Sequence, residues 1–344
     1  QESNSCVVAA DKKTKVCFTK TDMSGRRNLA GCHMNLKDRN GEELAAWISG
    51  EEPYVLEGVL KPGETYRWEE EQPCDGFIRA DAIWFTVPQN GACQQVIMKD
   101  GDTKLFVHKI SGDGDNSPVE GALLQILNPD GAPVTAAGDG ERFKKGEELV
   151  FVSGREPARI FGQLCAGKKY LLHEMKPAPG YAYTEDVPFS MSQDGREDNI
   201  VIRNKKTRVS VLKTDADSGE ALEGALLQIR DVKGRLVEQW VSGKESHMVI
   251  GKLEAGENYF LWEQRAPEGY QKAKRLGFWV PKEAELLKLV FENKREEDQE
   301  PPDNPGKRKE KTTNPPDLRP EEPKKPGRIT ALYDSGVPKG AGNL

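Results

Sequence analysis

Short apolar stretches with partial alternation recur along the chain and predict β-strands separated by tight turns. The clearest stretches are rich in β-branched and aromatic residues and span 105–107, 208–212, 225–229 and 286–291. Turn sequences lie between such stretches and end in Gly41, Gly131 and Gly234; Gly and Asn favour turns because they tolerate positive φ. No stretch has the four-turn apolar stripe of a long helix. The pattern predicts an all-β chain, with antiparallel strands folded into β-sandwiches.

One string of landmarks occurs three times, and this repetition divides the chain into units. Each copy contains a lysine, a pair beginning with Gly, an aromatic residue shortly before Ser-Gly, a Gly-x-x-Tyr, a glutamate and a Gly-aromatic pair. Three domains of ordinary size therefore follow one another, between a short N-terminal segment and a tail. The predicted boundaries are 1–14 for the N-terminal segment, 15–101, 102–206 and 207–295 for the domains, and 296–344 for the tail.

A lysine, a glutamate and an acid or amide occupy the same place in every copy. The glutamate precedes the last member by 30 residues each time, whereas the lysine precedes the glutamate by 50, 65 and 50 residues. Lys15, Lys104 and Asn199 are alternative members, but each breaks this register. The spacing indicates a repeated chemical site, made of the triplets Lys20, Glu70, Asp100; Lys109, Glu174, Asn204; and Lys213, Glu263, Asn293.

Alternation predicts that the members on the first and last strands point into the core. In the third copy Val209 and Val211 share one strand face with Lys213, and Phe291 shares a face with Asn293. The other copies have the same parity. Burying a charged group without compensation costs several kcal/mol, so we expect burial to lower the pKa of each lysine and raise that of each glutamate.

A neutral amine is a nucleophile, and a protonated glutamate can polarise a carbonyl and carry protons to a leaving group. We therefore expect Glu70, Glu174 and Glu263 to promote attack of each lysine on its Asn or Asp partner, with loss of ammonia or water. The product is an intramolecular isopeptide bond. Each lysine reacts once, so the expected chemistry is self-modification rather than enzymatic turnover. No Cys-x-x-Cys pair is present for a zinc site, and neither a metal nor a cofactor is expected.

These landmarks resemble the collagen-adhesin B-type domains (CnaB-like, SpaA-type) of Gram-positive pilins and surface adhesins. The Lys-x-Asp opening of that family matches residues 20–22 and 213–215. Its Gly-x-x-Tyr-x-Leu-x-Glu-x-x-Ala-Pro-x-Gly-Tyr core matches 256–270 nearly residue for residue and 167–181 closely. The resemblance implies tandem transthyretin-like sandwiches whose first and last strands are neighbours, with the Lys, Glu and Asn or Asp joined as described above.

Two copies depart from the family pattern. The middle copy has Ser111 where the opening motif has Asp. The first copy has three successive glutamates at 69–71 and Pro73-Cys74 where Ala-Pro is expected. In that copy the register alone selects Glu70.

Five of the six cysteines lie in or before the first domain, and six cysteines allow fifteen complete pairings. An extracellular setting permits disulfides, and we expect one or two in this domain. A simpler interpretation of Cys32 is that it fills the small apolar position that Ala occupies in the other copies. The disulfide candidates are Cys6, Cys17, Cys32, Cys74 and Cys93.

Composition sets further limits on location and partners. A formal charge of −6 and a pI near 5.6 argue against nucleic acid as a partner. No apolar run reaches the 18 residues of a membrane span, so we expect a processed ectodomain whose signal peptide and anchor lie outside this sequence. Residues 296–328 hold eight prolines among charged clusters, which predicts a disordered, extended spacer. The family resemblance implies that this tail crosses the cell wall. Residues 337–340 faintly resemble a sortase signal without its threonine.

Together these features predict an extracellular structural protein on the cell wall or pilus of a Gram-positive bacterium, as a minor pilin subunit or adhesin stalk. Its expected partners are other pilus or cell-wall components. The alternative is an adhesin in which the first domain, or the insertion at residues 136–147 of the second, binds a host surface or matrix protein.

Overall fold

In the computed structural model residues 12–296 are described, and their regular elements are twenty-one β-strands. The all-β prediction is confirmed, and no helix in this range could span a membrane. The described residues divide into two compact units, one of 12–178 with 184–203, the other of 179–183 with 204–296. Cys6, the tail after residue 296 and the segment 337–340 lie outside the described residues.

Seven strands between residues 15 and 100 form two sheets with a shared core. The four-stranded sheet has the order β3-β2-β5-β6, and the three-stranded sheet has the order β4-β1-β7. Side chains of both sheets meet in one apolar cluster, which makes this part a β-sandwich. The strands are β1 (Lys15–Asp22), β2 (His33–Lys37), β3 (Glu43–Ile48), β4 (Tyr54–Glu57), β5 (Thr65–Gln72), β6 (Ile83–Thr86) and β7 (Cys93–Asp100).

The next seven strands repeat this arrangement in the same chain order. Their sheets have the orders β10-β9-β12-β13 and β11-β8-β14. All seven lie inside the second predicted domain. The strands are β8 (Lys104–Ser111), β9 (Leu123–Leu127), β10 (Val150–Val152), β11 (Ala158–Phe161), β12 (Lys169–Lys176), β13 (Val187–Ser190) and β14 (Glu197–Asn204).

The last seven strands form a third sandwich with its own apolar cluster. The sheet orders are β17-β16-β19-β20 and β18-β15-β21. The repeated sandwich architecture is therefore confirmed, whereas the exact domain boundaries stay a prediction. The strands are β15 (Arg208–Asp215), β16 (Leu226–Asp231), β17 (Leu236–Val241), β18 (His247–Ile250), β19 (Asn258–Arg265), β20 (Leu276–Trp279) and β21 (Leu286–Asn293).

The first and last strands of a sandwich are neighbours, as the family resemblance implied. They run parallel, however: β1 pairs with β7 from Lys15↔Cys93 to Asp22↔Asp100, and β15 pairs with β21 in the same way. The expectation of antiparallel strands is wrong for these pairs. Local patterns identify strands but not their partners, and here the partners lie about 80 residues apart, joined through the other sheet.

Aromatic side chains dominate the core of the first sandwich. The Phe18 ring lies 5.1 to 5.5 Å from the rings of Trp47, Trp68 and Phe85, which come from the opposite sheet. Burying each such side chain contributes about 1.5–3 kcal/mol to stability. Because Phe18 and Lys20 have the same parity on β1, this packing also directs Lys20 inward.

The Ser-Gly landmark has a structural role in every sandwich. Its serine hydroxyl accepts the backbone N–H of the small residue in the Gly-Ala or Gly-Cys pair at 3.0 Å. The same hydroxyl donates to the backbone carbonyl three residues before that small residue, at 2.6 to 2.7 Å. Each buried serine therefore fixes the entry into the second strand. These serines are Ser49, Ser153 and Ser242.

A close backbone contact follows the first sandwich. Gly76 has φ +89°, and a Cβ on it would lie 2.3 Å from the Gly162 carbonyl oxygen, so no larger residue fits. The buried Thr103 hydroxyl lies 3.1 Å from the Gly76 carbonyl and 2.7 Å from the Leu164 carbonyl. Gly76, the glycine of the Gly-aromatic landmark, is thus required by a backbone contact between the first and second sandwiches.

Candidate functional site

The nine predicted site residues occupy equivalent strand positions. Each lysine is the sixth residue of its eight-residue strand (β1, β8 or β15), and each glutamate is the sixth residue of β5, β12 or β19. The acid or amide is the last residue of β7, β14 or β21. All nine are buried, with at most 4% of any residue exposed to solvent. The prediction of inward-facing side chains is confirmed.

In the first sandwich the three predicted residues form one polar cluster. Lys20 Nζ donates to Asp100 Oδ1 and lies 3.1 Å from Glu70 Oε1. The second glutamate oxygen accepts the backbone N–H of Ala80 at 2.9 Å, and the Arg79 side chain donates to the Glu70 carbonyl. Among residues 12–296, Asp100 Oδ2 is buried without a hydrogen-bond partner. Lys20 therefore contacts both acids of its triplet, including Glu70, which the repeat register alone had selected.

In the third sandwich the glutamate lies between the amine and the amide. Glu263 Oε1 is 3.7 Å from Lys213 Nζ, while Glu263 Oε2 accepts a hydrogen bond from Asn293 Nδ2 at 3.0 Å. The amine itself donates to the Phe291 carbonyl at 2.9 Å and lies 4.4 Å from the centre of the Phe291 ring. The Asn293 amide also donates to the Gln271 carbonyl, at 2.9 Å. One carboxyl group thus faces both reactive nitrogens.

The middle copy has an equally buried ion pair. Lys109 Nζ lies 2.8 Å from Glu174 Oε1, the shortest amine–glutamate distance of the three copies. Asn204 Nδ2 donates to the Ala182 carbonyl at 2.6 Å. The strand that ends at Asn204, β14, is the neighbour of β8, which carries Lys109. The 65-residue interval of this copy therefore leaves the strand positions of the triplet unchanged.

A backbone donor shared by all three glutamates was not predicted from the sequence. The second carboxylate oxygen of each accepts the N–H of the residue ten positions later, at 2.6 to 3.2 Å. This bond fixes the orientation of the carboxyl group, with its other oxygen toward the lysine. The donors lie three residues after the aromatic of the Gly-aromatic landmark; only that spacing signals them, because their side chains differ. They are Ala80, Thr184 and Ala273.

Burial shifts the pKa values of several members in the direction that amide chemistry requires. Burial lowers the pKa of Lys213 to about 8 and also lowers the pKa of Lys109, in both cases against the opposing effect of the paired glutamate. Near neutral pH a useful fraction of Lys213 is therefore uncharged. Burial raises the pKa of Asp100 to about 7, partly offset by Lys20. The lysine expectation is confirmed for these two, and a raised glutamate pKa stays a prediction.

One of the candidate disulfides is present, between Cys32 and Cys74. Cys32 is fully buried at the position of Ala122 and Ala225, so it both fills the small apolar site and forms a bridge. Its sulfur lies within 4.8 Å of carboxylate oxygens of Glu70 and Asp100. Because that sulfur is bonded to Cys74, it offers no thiolate to a metal, and the two carboxylates face the Lys20 amine. Cys17, Cys93 and Cys165 are unbridged thiols within residues 12–296.

Several solved structures resemble this chain at low sequence identity and with TM-scores below 0.5. The Bacillus anthracis TIE protein is 18% identical with a TM-score of 0.41, over 83% of this chain and 52% of that one, so this chain spans about half its length. A streptococcal ancillary pilin is 19% identical, TM-score 0.36, over 83% and 99%. BcpA, the major pilin subunit of Bacillus cereus, is 16% identical, TM-score 0.31, over 83% and 100%. No curated protein sequence matches the chain.

A sequence-family model matches two separate parts of the chain. The profile of SpaA, a prealbumin-like fold domain, matches residues 14–102 and 207–295, just over half of the chain. These ranges coincide closely with the first and third sandwiches, including the copy whose glutamate region departs from the family pattern. The chain therefore belongs to the SpaA prealbumin-like domain family.

Proposed function

We propose that this protein is a structural component of a Gram-positive cell surface, as a minor pilin subunit or an adhesin stalk, stiffened by autocatalytic isopeptide bonds. The bonds join Lys20 to Asp100, Lys109 to Asn204 and Lys213 to Asn293. One observation carries the proposal: in every sandwich a buried lysine amine lies beside a buried glutamate carboxyl, on strands that also bring in a buried acid or amide. Even for paired groups the cost of removing both charges from water can exceed their attraction, so three such buried pairs argue for a role.

The contacts of the third sandwich suggest the order of events. The neutral Lys213 amine attacks Cγ of Asn293, and a protonated Glu263 stabilises negative charge that develops on the amide oxygen. Glu263 then gives its proton to the Asn293 nitrogen, which it already contacts at 3.0 Å, and takes a proton from the attacking nitrogen in its place. The C–N bond of the side-chain amide breaks and ammonia leaves. One Nζ–Cγ bond has formed, one Cγ–Nδ2 bond has broken, and the glutamate is regenerated.

In the first sandwich the acceptor is an acid, so the leaving group is water. An amine does not attack an ionised carboxylate, and a pKa of about 7 for Asp100 keeps part of this group protonated at neutral pH. The Lys20 amine and the Asp100 carboxyl group are already in contact. Glu70 transfers the amine proton to the departing hydroxyl group, and water leaves.

A covalent bond at this place explains why the sites serve structure. The joined strands are the first and last of each sandwich, so the bond closes almost the whole domain into one loop. In the chain-entropy account of cross-links, a loop of this length is worth about 4–5 kcal/mol. When the ends of the chain are pulled, the load passes from the lysine directly to its partner, and the strands between them carry none. Such domains suit a protein that holds an adhesive end away from the cell, together with other pilus or cell-wall components.

The test is the intact mass of the full chain after complete reduction of its disulfides. Three bonds remove two ammonias and one water, a loss of about 52 Da from the linear sequence. A variant with Glu70, Glu174 and Glu263 all changed to Gln is the control, and it is expected to have its full linear mass. A wild-type mass equal to the linear chain would refute the proposal.

Direct ligand binding by the first domain or by residues 136–147 stays a prediction. Solid-phase binding of the purified chain to host matrix proteins, with and without deletion of 136–147, is the measurement that addresses it.

A further inference from the structure

Two thiols lie side by side on the first and last strands of the first sandwich, outside the proposed reaction. Cys17 belongs to β1 and Cys93 begins β7, and their sulfur atoms are 3.5 Å apart. In the parallel register Lys15 is opposite Cys93 and Cys17 is opposite Gln95, so the cysteines are diagonal neighbours. Their parity is opposite to that of Val16, Phe18 and Lys20, and they therefore lie on the outer face of the sheet.

We propose that Cys17 and Cys93 form a second disulfide in the first sandwich, a covalent link between β1 and β7 on the sheet face opposite to Lys20. The sulfur separation exceeds the ~2.05 Å length of a disulfide bond by only about 1.5 Å, and a small shift of the two strands together with side-chain rotation closes it. The neighbouring sandwiches contain no cysteine on their first or last strands, so this pair is specific to the first. The observation is independent of the isopeptide proposal.

The accessibility of the two thiols sets the order of oxidation. Cys93 is exposed and Cys17 is buried, so an external disulfide oxidant meets Cys93 first. The Cys93 thiolate attacks the oxidant and forms a mixed disulfide, releasing one reduced thiol. The Cys17 thiolate then attacks the Cys93 sulfur and expels the second. Burial raises the pKa of Cys17, which lowers the thiolate fraction available for this second step. The chain loses two hydrogens, and one oxidant disulfide becomes two thiols.

The position of this bond differs in a useful way from that of the Lys20–Asp100 pair. Cys17 and Cys93 lie near the beginning of both strands, whereas Lys20 and Asp100 lie near their ends. If both links form, the strand pair is fastened at two levels, and the covalent ring between them contains only residues 17–20 and 93–100. If only the disulfide forms, it closes a loop of 76 residues by itself. The disulfide therefore stabilises the domain strongly when the isopeptide bond is absent and weakly when it is present.

The pairing is tested by peptide mapping of the full chain. The protein is incubated with oxidised glutathione, denatured without reduction, alkylated and digested with a protease. We expect a peptide containing Cys17 joined to one containing Cys93, with Cys165 alkylated. Cys93→Ser should leave Cys17 alkylated, whereas the control Cys165→Ser should leave the joined peptide unchanged. Full alkylation of both residues after oxidation, or pairing of either with Cys6 or Cys165, would overturn the proposal.

A thermal measurement separates this proposal from the isopeptide proposal. Two variants are compared, Glu70→Gln and Glu70→Gln combined with Cys93→Ser; in both, the Lys20–Asp100 bond cannot form. Reduction should lower the melting temperature more in the variant that keeps both Cys17 and Cys93. The Cys32–Cys74 bridge is reduced in both, so the difference belongs to the second pair. Equal shifts would contradict a stabilising link. The peptide-mapping result does not depend on whether the intact mass shows a Lys20–Asp100 bond.

Discussion

Replacing Glu263 with Gln is the most direct test of the chemistry proposed for the third sandwich. Gln keeps the size of the side chain and an oxygen that can accept the Ala273 N–H, now 2.6 Å from the carboxylate. It cannot take a proton from Lys213 and pass it to the Asn293 nitrogen. The fold should therefore form, while Lys213 and Asn293 stay unlinked.

The expected loss of stability follows from the length of the loop that the bond closes. Lys213 and Asn293 are 80 residues apart in the sequence. In the chain-entropy account a cross-link over this span contributes about 4–5 kcal/mol. For a domain of this size each kcal/mol shifts the melting temperature by several degrees, so the transition of this sandwich should fall by roughly 20–30 °C.

The assay combines intact mass with differential scanning calorimetry of the full chain. Glu263→Gln should restore one lost ammonia, about 17 Da, and should move one thermal transition downward. Glu268→Gln is the matched control, because it makes the same substitution at an exposed glutamate of the same sandwich. An unchanged mass deficit in Glu263→Gln would refute the role of Glu263. A restored mass without a thermal shift would refute the loop-closure estimate.

Three further predictions concern pH and the backbone. During cell-free synthesis followed by mass spectrometry, linkage of Lys213 should accelerate as pH rises through about 8, because its neutral fraction increases, whereas linkage at Asp100 should slow above about pH 7 as its carboxyl group ionises. A common pH profile would contradict this reasoning. Gly76→Ala should lower the free energy of unfolding by about 2 kcal/mol more than Gly41→Ala in urea titrations, since both have φ near +88° but only Gly76 faces a carbonyl at 2.3 Å. Thr103→Val should cost about 1–3 kcal/mol in the same assay, because the buried Leu164 carbonyl, 2.7 Å from the hydroxyl, loses this donor.

The sequence predicted those features that repetition or parity encodes. The constant glutamate interval selected Glu70 among three successive glutamates, and the structure turns this one inward while Glu69 pairs with Lys37. Parity on the first and last strands predicted buried lysine and Asn or Asp members. The turns ending in Gly41, Gly131 and Gly234 also form, each with positive φ.

Features that depend on partners distant in the sequence were not predictable in this way. The parallel pairing of β1 with β7 leaves no local signal, because a strand pattern is the same for either direction. The backbone donors to the glutamates carry no side-chain signature. The pairing of Cys32 with Cys74 occurs in only three of the fifteen complete pairings of six cysteines, and only the approach of the second strand to the residues after β5 selects it.

The pairing of the first strand with the last strand of each sandwich also determines when the sheet can be completed during synthesis. The central strand of the three-stranded sheet is the first to be made, and one of its two neighbours is the last. A partly synthesised or partly exported unit therefore carries its lysine in an incomplete sheet. The three-stranded sheet, and with it the proposed isopeptide bond, can be completed only after residue 100, 204 or 293 has emerged. We therefore expect the three sandwiches to be completed one after another, in the order in which the chain leaves the ribosome or the export channel.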